Sequence, residues 1–588
     1  MKGDSRSRMT LACIGLSLII SGYSIRLIYI QVTKHDEFTA LAAQKHSIRQ
    51  SIHARRGQIL DANGEILATD LPTKTVIADG SLIKDADALA KTAAPFLEIS
   101  SAELAQKLKT KRKYLILKRN LPEDRANALA ESLSQQSLRG IYFEQDAQRI
   151  YPNGEMLAHV LGFLDRDGRG VQGLEASMEA YLNGENGFRL IQRDRTGREI
   201  VIYRGQEHPA RNGINVQLTI DMNLQSIVES EINTAYHELK AAHVVAIMLR
   251  PQTGEVLAMA SRPTFNPNHL EAVTNTDQLR NHSIMDMLEP GSTFKIVVAS
   301  GVLNEKLVHP ESPIYCEQGR FYYGGKVLRD HGTGYGYLSV HDILVKSSNI
   351  GMAKLAFLLG DQGVFDYIRK FGFGERTGIE LPGEICGLIH PPYRWSKLSI
   401  TRMPMGHEVA VTPLQLIVAM SAIANNGKLM APHIIKALLD DSGKALSEVS
   451  PNIVRQVISP ETARAIRDAL VDVVGQRGTA ALAHVNGFNV AGKTGTAQKV
   501  NPKGGYYDHK YIVSFVGFLP AEDPQFTCLV IVDDAKLPPG VDYGGLVSAP
   551  IFSRIAERAA RYMNLTPTSK NPPITASRES FRKDDWLQ

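Results

Sequence analysis

The chain has 588 residues, 43% of them hydrophobic, which is length enough for several folded domains and too apolar for a mostly disordered protein. Its formal charge of +5 is small for that length, and no run of Arg and Lys interleaved with aromatic residues stands out. A nucleic-acid-binding surface is therefore not expected.

Near the start, MTLACIGLSLIISGYSIRLIYIQV from Met9 to Val32 is uncharged and largely apolar up to Ile25, then broken only by Arg26. As a helix rising about 1.5 Å per residue it can cross a hydrocarbon layer about 30 Å thick. Arg26 lies close enough to one end for its long stem to reach the headgroups. Lys2, Arg6 and Arg8 precede the segment, so the positive-inside rule puts residues 1–8 in the cytoplasm and everything after about residue 33 outside. A cleaved signal peptide is the rival reading; it would usually have a shorter apolar stretch, and the nearest small-residue site is Leu41-Ala42-Ala43. No later stretch is long and apolar enough to return, so a single-span protein is expected. Of four cysteines, Cys13 is in the span and Cys316, Cys386 and Cys528 are outside, an odd number that cannot complete a set of internal disulfides. Small buried hydrophobes is the reading adopted for them.

From Lys34 to about Gly213 the pattern changes often. IRQSIHARRGQILDANGEILATD holds a turn at Asp61 to Gly64 between short apolar stretches, a hairpin signal. DALAKTAAPFLEI and the Leu/Ala/Lys-rich stretch after it predict short amphipathic helices separated by Pro and Gly. A helix from about Leu174 to Leu182 should end at Asn183-Gly184 and give way to strand. The Asp, Glu and Arg residues of this half read as solvated faces or interdomain pairs.

A second composition begins with NGINVQLTID at Asn212. VVAIMLRPQTGEVLAMASRP predicts two strands around the turn Pro251 to Gly254, and GSTFKIVVASGVLNE switches to helical periodicity. Near the end, NVAGKTGTAQKV, YIVSFVGFLP and FTCLVIVDDA read as three successive strands. SAPIFSRIAERAARYM reads as a closing helix with Phe552, Ile555, Ala559 and Tyr562 on one side. Strands at both ends of this region predict a sheet built from both termini of a domain and covered by helices. The polar, Pro/Ser-rich tail, residues 566–588, is expected to be unstructured.

Three polar clusters fall in this second region in a fixed order: Ser292-Thr-Phe-Lys295, Ser347-Ser-Asn349 and Lys493-Thr-Gly-Thr496. A lone Ser-x-x-Lys would arise roughly twice by chance in such a chain, and a lone helix lysine usually snorkels to solvent. Together the three carry a chemistry. A serine hydroxyl is a poor nucleophile until a base takes its proton, and Lys295, three residues along a helix, lies on the face of Ser292. Lys295 can take that proton only when neutral, which requires burial and nearby positive charge to lower its pKa from about 10.4. Lys493 could supply that charge and also attract a substrate carboxylate. Ser347 can donate and accept at once, Asn349 offers a carbonyl and an amide, and Ser348 between them reads as an ordinary turn serine. No HExxH and no Cys/His spacing suggests a metal, and the chemistry needs no cofactor.

Ser-x-x-Lys, Ser-x-Asn and Lys-Thr-Gly in this order resemble the signature of penicillin-binding proteins. With RRGQILDANGEILA from Arg55, GVQGLEASMEAYLNG from Gly170, PQTGEVLAMASRPTFNPN from Pro251, EPGSTFK from Glu289, SSNIG from Ser347, VTPLQL from Val411 and KTGTAQ from Lys493, the chain looks like a class B penicillin-binding protein, a peptidoglycan D,D-transpeptidase, closest to the septal type. The resemblance implies a single transmembrane helix over 9–32, an elongated mixed α/β non-catalytic dimerisation or pedestal module over 40–215, and a transpeptidase domain over 218–565. That domain would hold a central antiparallel sheet covered by helices. No long N-terminal glycosyltransferase region is seen, which points away from the bifunctional class.

The resemblance also implies roles: Ser292 the nucleophile, Lys295 its base, Ser347 the relay toward the leaving nitrogen, Asn349 a holder of peptide backbone and of Lys295. Lys493, Thr494 and Thr496 would recognise the terminal carboxylate, and Gly495 would leave room for the acyl group on an edge strand that lines the substrate. The N–H groups of Ser292 and Thr496 would form the oxyanion hole. Expected partners are peptidoglycan pentapeptide stems, β-lactams as covalent inhibitors, and a polytopic glycosyltransferase with other divisome membrane proteins. His407, in MPMGHEVAVTPLQL, stands where septal enzymes often carry Gly-Tyr-Gly. The alternatives are a side-wall elongation enzyme of the family, a D,D-carboxypeptidase, and a noncatalytic β-lactam-binding scaffold.

Overall fold

The structure, a computed structural model, describes residues 4–38, 47–110, 112–193, 199–202, 207–332, 334–537 and 543–569. The stretch Leu41-Ala42-Ala43 and the tail beyond residue 569 lie outside the described residues. The chain divides into two units, Met1–Arg55 with Gly184–Gly213, and Arg56–Asn183 with Ile214–Gln588.

In the first unit, the helix Asp4–Ile28 continues through a π-turn, Tyr29–Thr33, so the predicted apolar segment is helical throughout and begins earlier than its first apolar residue. Among the described residues it is the one helix long and apolar enough to cross a membrane, and none of its most apolar window is buried. Leu11, Leu18 and Ile25 are each more than two-thirds exposed, a surface suited to lipid. The same unit holds a three-stranded antiparallel sheet of Ser47–Ile52, Gly187–Arg193 and Glu199–Ile202.

The second unit has two large sheets. One is mixed, in the spatial order Ala445–Glu448, Ile435–Leu439, Asn215–Leu218, Ile59–Leu60, Ile66–Ala78, Leu115–Pro122, with Ile141–Ile150 also on Ile66–Ala78. The predicted turn at Asp61 to Gly64 is its hairpin, closed by Asp61 Oδ1 accepting from the N–H groups of Asn63 and Glu65 at 2.8 Å. Three helices, Ala86–Leu97, Ser101–Leu108 and Glu123–Gln135, pack over it. Leu89, Ala93 and Leu97, Leu104 and Leu108, and Leu129 and Leu133 recur at helical spacing and form their own core. Asp85 and Ser100 cap the first two. Pro95 lies inside the first helix instead of ending it, because the turn that follows is held by the buried Leu97 and closed by Glu98 in the left-handed conformation.

The helix predicted over Leu174 to Leu182 is two short pieces, Gly173–Ser177 and Glu179–Leu182, broken at Met178. The break serves an ion cluster. Glu175 is fully buried, 2.7 Å from both Arg56 Nε and Arg149 Nε, while Glu179 pairs with Arg56 from the second piece. Glu175, Arg56 and Arg149 are thus buried and paired instead of lying on solvated faces: a carboxylate can be buried only where cations and donors replace its water.

The other sheet is antiparallel. Its strands are β1 (His243–Leu249), β2 (Val256–Arg262), β3 (Ala491–Val500), β4 (Tyr506–Leu519) and β5 (Phe526–Asp533), in the spatial order β2-β1-β5-β4-β3. Strands from both termini of the region therefore meet in its centre, as the sequence pattern predicts. β1 and β5 are near-continuous apolar runs because both of their faces are covered. The helix Met222–Leu239 and the closing helix Ser548–Tyr562 pack together on the sheet, and Pro413–Ala424, buried at all twelve positions, packs on its central strands from the other side. On the closing helix Phe552, Ile555 and Ala559 are buried. Tyr562 remains at the rim, its hydroxyl donating to Asp221 Oδ2 at 2.9 Å.

Candidate active site

The nucleophile candidate sits on a 3₁₀ turn, Gly291–Phe294, and the helix α1 (Lys295–Asn304) starts only at the lysine. The expectation of one continuous helix is corrected: Gly291 has φ +58°, a conformation no α-helix contains. In a 3₁₀ turn side chains at i and i+3 eclipse, so Ser292 and Lys295 still share a side. A Cβ on Gly291 would stand 2.7 Å from Thr496 O, which shows how closely the turn approaches β3. Ser292 is half-buried, whereas Lys295 is fully buried and has no path along which to snorkel.

Ser347 is held with φ +57°, rare for a residue with a side chain, at the turn before helix α2 (Asn349–Lys370). That backbone turns both its carbonyl and its hydroxyl to Lys295. Lys295 Nζ donates to Ser347 O, to Ser347 Oγ at 3.1 Å and to Asn349 Oδ1 at 2.8 Å. Lys493, on β3 and also fully buried, donates to the same Ser347 Oγ at 3.1 Å. The structure thus brings the lysines of the first and third clusters, Lys295 and Lys493, to one oxygen of the second, Ser347 Oγ, with Asn349 Oδ1 on Lys295.

Burial and then the neighbouring Lys493 ammonium hold Lys295 well below the ordinary lysine range, with Asp330 opposing them. Burial alone brings Lys493 down to about 7. Asp330 carries no motif and is absent from the sequence reading. Its Oδ1 accepts from Ile350 N at 3.0 Å and also from Asn349 N, and its Oδ2 accepts from Ser348 Oγ at 2.8 Å. Ser348 in turn caps α2 through Gly351 N. It is the turn serine expected, but with a positioning partner that only folding supplies.

β3 is the last strand of its sheet, the position at which a further strand can be added. Gly495 needs its missing side chain for another reason than predicted. A Cβ there would meet Ser514 Oγ at 2.3 Å, Pro290 O at 2.8 Å and Thr293 Cγ2 at 2.9 Å, so the space belongs to the turn carrying Ser292 and not to an acyl group. Thr494 Oγ1 is 3.1 Å from Thr479 Oγ1, and Thr496 Oγ1 accepts from Gly544 N at 3.2 Å. A cleft of about 480 Å³ runs past Asn349, Thr496, Gln498, Arg402, His407 and Tyr543. His407 is anchored there, its Nδ1 2.9 Å from Glu289 Oε2, an oxygen to which Tyr506 also donates at 3.0 Å. Cys316, Cys386 and Cys528 are free. Cys316 and Cys528 are buried as read, and burial pushes both thiols up; Cys386 is exposed, which corrects the reading for that residue.

A buried lysine one 3₁₀ turn beyond a half-buried serine, sharing a serine hydroxyl with a second lysine on an edge strand, is the equipment of a serine acyltransferase. Residues 244–557 match the penicillin-binding protein transpeptidase domain, and residues 51–218 match the penicillin-binding protein dimerisation domain. The chain belongs to the penicillin-binding transpeptidases. It is 32% identical to the peptidoglycan D,D-transpeptidase FtsI of Escherichia coli, over 95% of this chain and 92% of that one. To the stage V sporulation protein D of Bacillus subtilis it is 35% identical, over 92% and 83%. The crystal structure of penicillin-binding protein 3 of Mycobacterium tuberculosis with aztreonam superposes with a TM-score of 0.69 at 29% identity, covering 88% of this chain and 98% of that one. Transpeptidase chemistry, the helix fit to anchor it and the α/β domain with its helix-covered antiparallel sheet are thus one consistent assignment.

Proposed function

We propose that this protein crosslinks peptidoglycan stem peptides at the division septum by serine acyl transfer. Ser292 Oγ attacks the amide between the two terminal D-alanines of a pentapeptide stem, and neutral Lys295 takes its proton. The proton passes through Ser347 to the leaving nitrogen, the C–N bond breaks, and D-alanine departs with the acyl group on Ser292. An amine of a neighbouring stem then attacks the ester, returns a proton along the same relay, and frees Ser292 with a new amide formed. Lys493, Thr494 and Thr496 hold the terminal carboxylate, Asn349 orients Lys295 and the peptide, and the N–H groups of Ser292 and Thr496 meet the oxyanion. The observation that carries this reading is Ser347 Oγ lying 3.1 Å from both lysine nitrogens.

β-Lactams acylate the same serine and, because their leaving group stays attached, block the acceptor. The N-terminal helix anchors the chain in the cytoplasmic membrane with the N-terminus inside and the catalytic domain outside. Residues 40–215 position that domain and, with the helix, contact a polytopic glycosyltransferase and other divisome membrane proteins. Incubation with a labelled β-lactam and mass mapping tests the chemistry: the adduct is expected on Ser292 and absent from Ser292→Ala, and an adduct elsewhere overturns it. A labelled fusion distributed along the side wall instead of at midcell would overturn the septal assignment.

A further inference from the structure

At the end of the antiparallel sheet where β1 begins, side chains from three elements converge. They are His243, the first residue of β1; Asp277, in the 3₁₀ turn Thr276–Leu279; and His282, the first residue of the short helix His282–Met285. One ligand atom from each lies within 4.8 Å of the other two. His243 Nε2 is 2.9 Å from Asp277 Oδ2, and His282 Nε2 is 3.9 Å from that same oxygen.

His282 is 1% exposed, and its Nε2 is a buried polar atom with no hydrogen-bond partner. Such an atom is costly to leave unpaired. Its other nitrogen, Nδ1, is 2.7 Å from Asp286 Oδ2; with that nitrogen protonated, Nε2 turns a bare lone pair toward Asp277. His243 is arranged alike, its Nδ1 3.1 Å from Asp533 Oδ2. A carboxylate on the far nitrogen is what orients an imidazole for a metal and raises its basicity. Both outer carboxylates are themselves fixed, Asp286 by Arg280 and Asp533 by Lys499, each at 2.6 Å.

We infer that His243, Asp277 and His282 form a site for one zinc-class divalent cation. Two imidazoles and a carboxylate suit such an ion, with water in the fourth position. Tetrahedral bonds of about 2.0–2.1 Å put ligand atoms about 3.3 Å apart, between the two separations above. Asp277 is 36% and His243 23% exposed, so an ion and its water can enter from solvent. Bound there, the ion would tie the start of β1 to the segment that runs on into Glu289 and the Ser292 turn. No local spacing announces the site, because its ligands are 34 and 5 residues apart and meet only through the fold.

The test uses the full chain in detergent, stripped with EDTA, then titrated with Zn²⁺ alone and with Co²⁺ as a visible probe. One ion per chain is expected, with a rise in melting temperature and a tetrahedral Co²⁺ spectrum, the affinity falling at acid pH as the histidines protonate. Asp277→Asn keeps the shape and the contact with His243, and His282→Gln removes the orphaned nitrogen. Each should weaken Zn²⁺ binding at least tenfold, while β-lactam labelling reports separately that the domain is folded. Failure of the wild type to hold one Zn²⁺, as when the cluster merely shares a proton on His243 between Asp277 and Asp533, overturns the inference. Undiminished binding by both variants overturns it too, since the ion then sits elsewhere.

Discussion

Replacing Lys493 with Met removes a buried ammonium while nearly keeping the side chain's volume. Lys295 and Lys493 both donate to Ser347 Oγ at 3.1 Å, so their nitrogens are no more than about 6 Å apart. Two unit charges at about 6 Å and an effective dielectric of about 20 repel by roughly 3 kcal/mol, enough to hold Lys295 down measurably. Burial remains the larger cause holding Lys295 down, so the variant's Lys295 rises without reaching the ordinary value. Lys493 itself is charged only below about 7, which reduces the effect above that pH. Acylation needs neutral Lys295, so the acidic limb of its pH–rate profile should move to higher pH. A loss from the missing carboxylate contact should accompany it, largest below about 7, where Lys493 is charged. The assay is the second-order rate of labelling by a fluorescent β-lactam from pH 5 to 10. A limb that stays in place or moves down would refute the coupling, and with it the assignment of Lys295 as base.

The same substitution has a stability signature with a determined sign. Folding lowers Lys493 from 10.5 to about 7, so between those values the unfolded chain binds more protons and wild-type stability rises with pH. Below about 7 the cost of the buried charge is complete. Lys493→Met should therefore melt above the wild type by a margin largest under pH 7 and shrinking toward 10.5; a margin that grows with pH contradicts the cause given.

Asp330→Ala deletes the acceptor for Asn349 N, Ile350 N and Ser348 Oγ, and should cost about 1–2 kcal/mol by denaturant titration as well as slow acylation through a displaced Ser347. Gly495→Ala forces the Ser292 turn off β3; acylation should fall about a hundredfold, measured against a melting curve that shows the domain still folded. Glu175→Ala leaves Arg56 with Glu179 alone and Arg149 with Asp70 alone, and should cost about 3 kcal/mol, read from urea midpoints, with the acylation rate of the remaining folded protein unchanged.

What the sequence alone determined here is local in origin or carried by order along the chain. The apolar run of the N-terminal helix, the alternation and apolar runs of β1, β4 and β5, and the turn at Asp61 to Gly64 all express interactions within a few residues. The three polar clusters were legible because their residue types and order are specific together, even though Ser292, Ser347 and Lys493 are far apart in the chain. Tertiary structure decided how those residues meet. Only folding places two lysines on one serine oxygen, and only folding lowers their pKa values, through burial of both and the charge of Lys493 beside Lys295. Asp330 and His282 carry no pattern in sequence, and Glu175 lies in a motif that does not show its role, because each acts on partners brought by distant elements. Gly495 was noticed in the sequence for a space it does not provide to substrate. Its true neighbours, Pro290, Thr293 and Ser514, approach from two other segments, and a close backbone contact between segments leaves no trace in the spacing of either one.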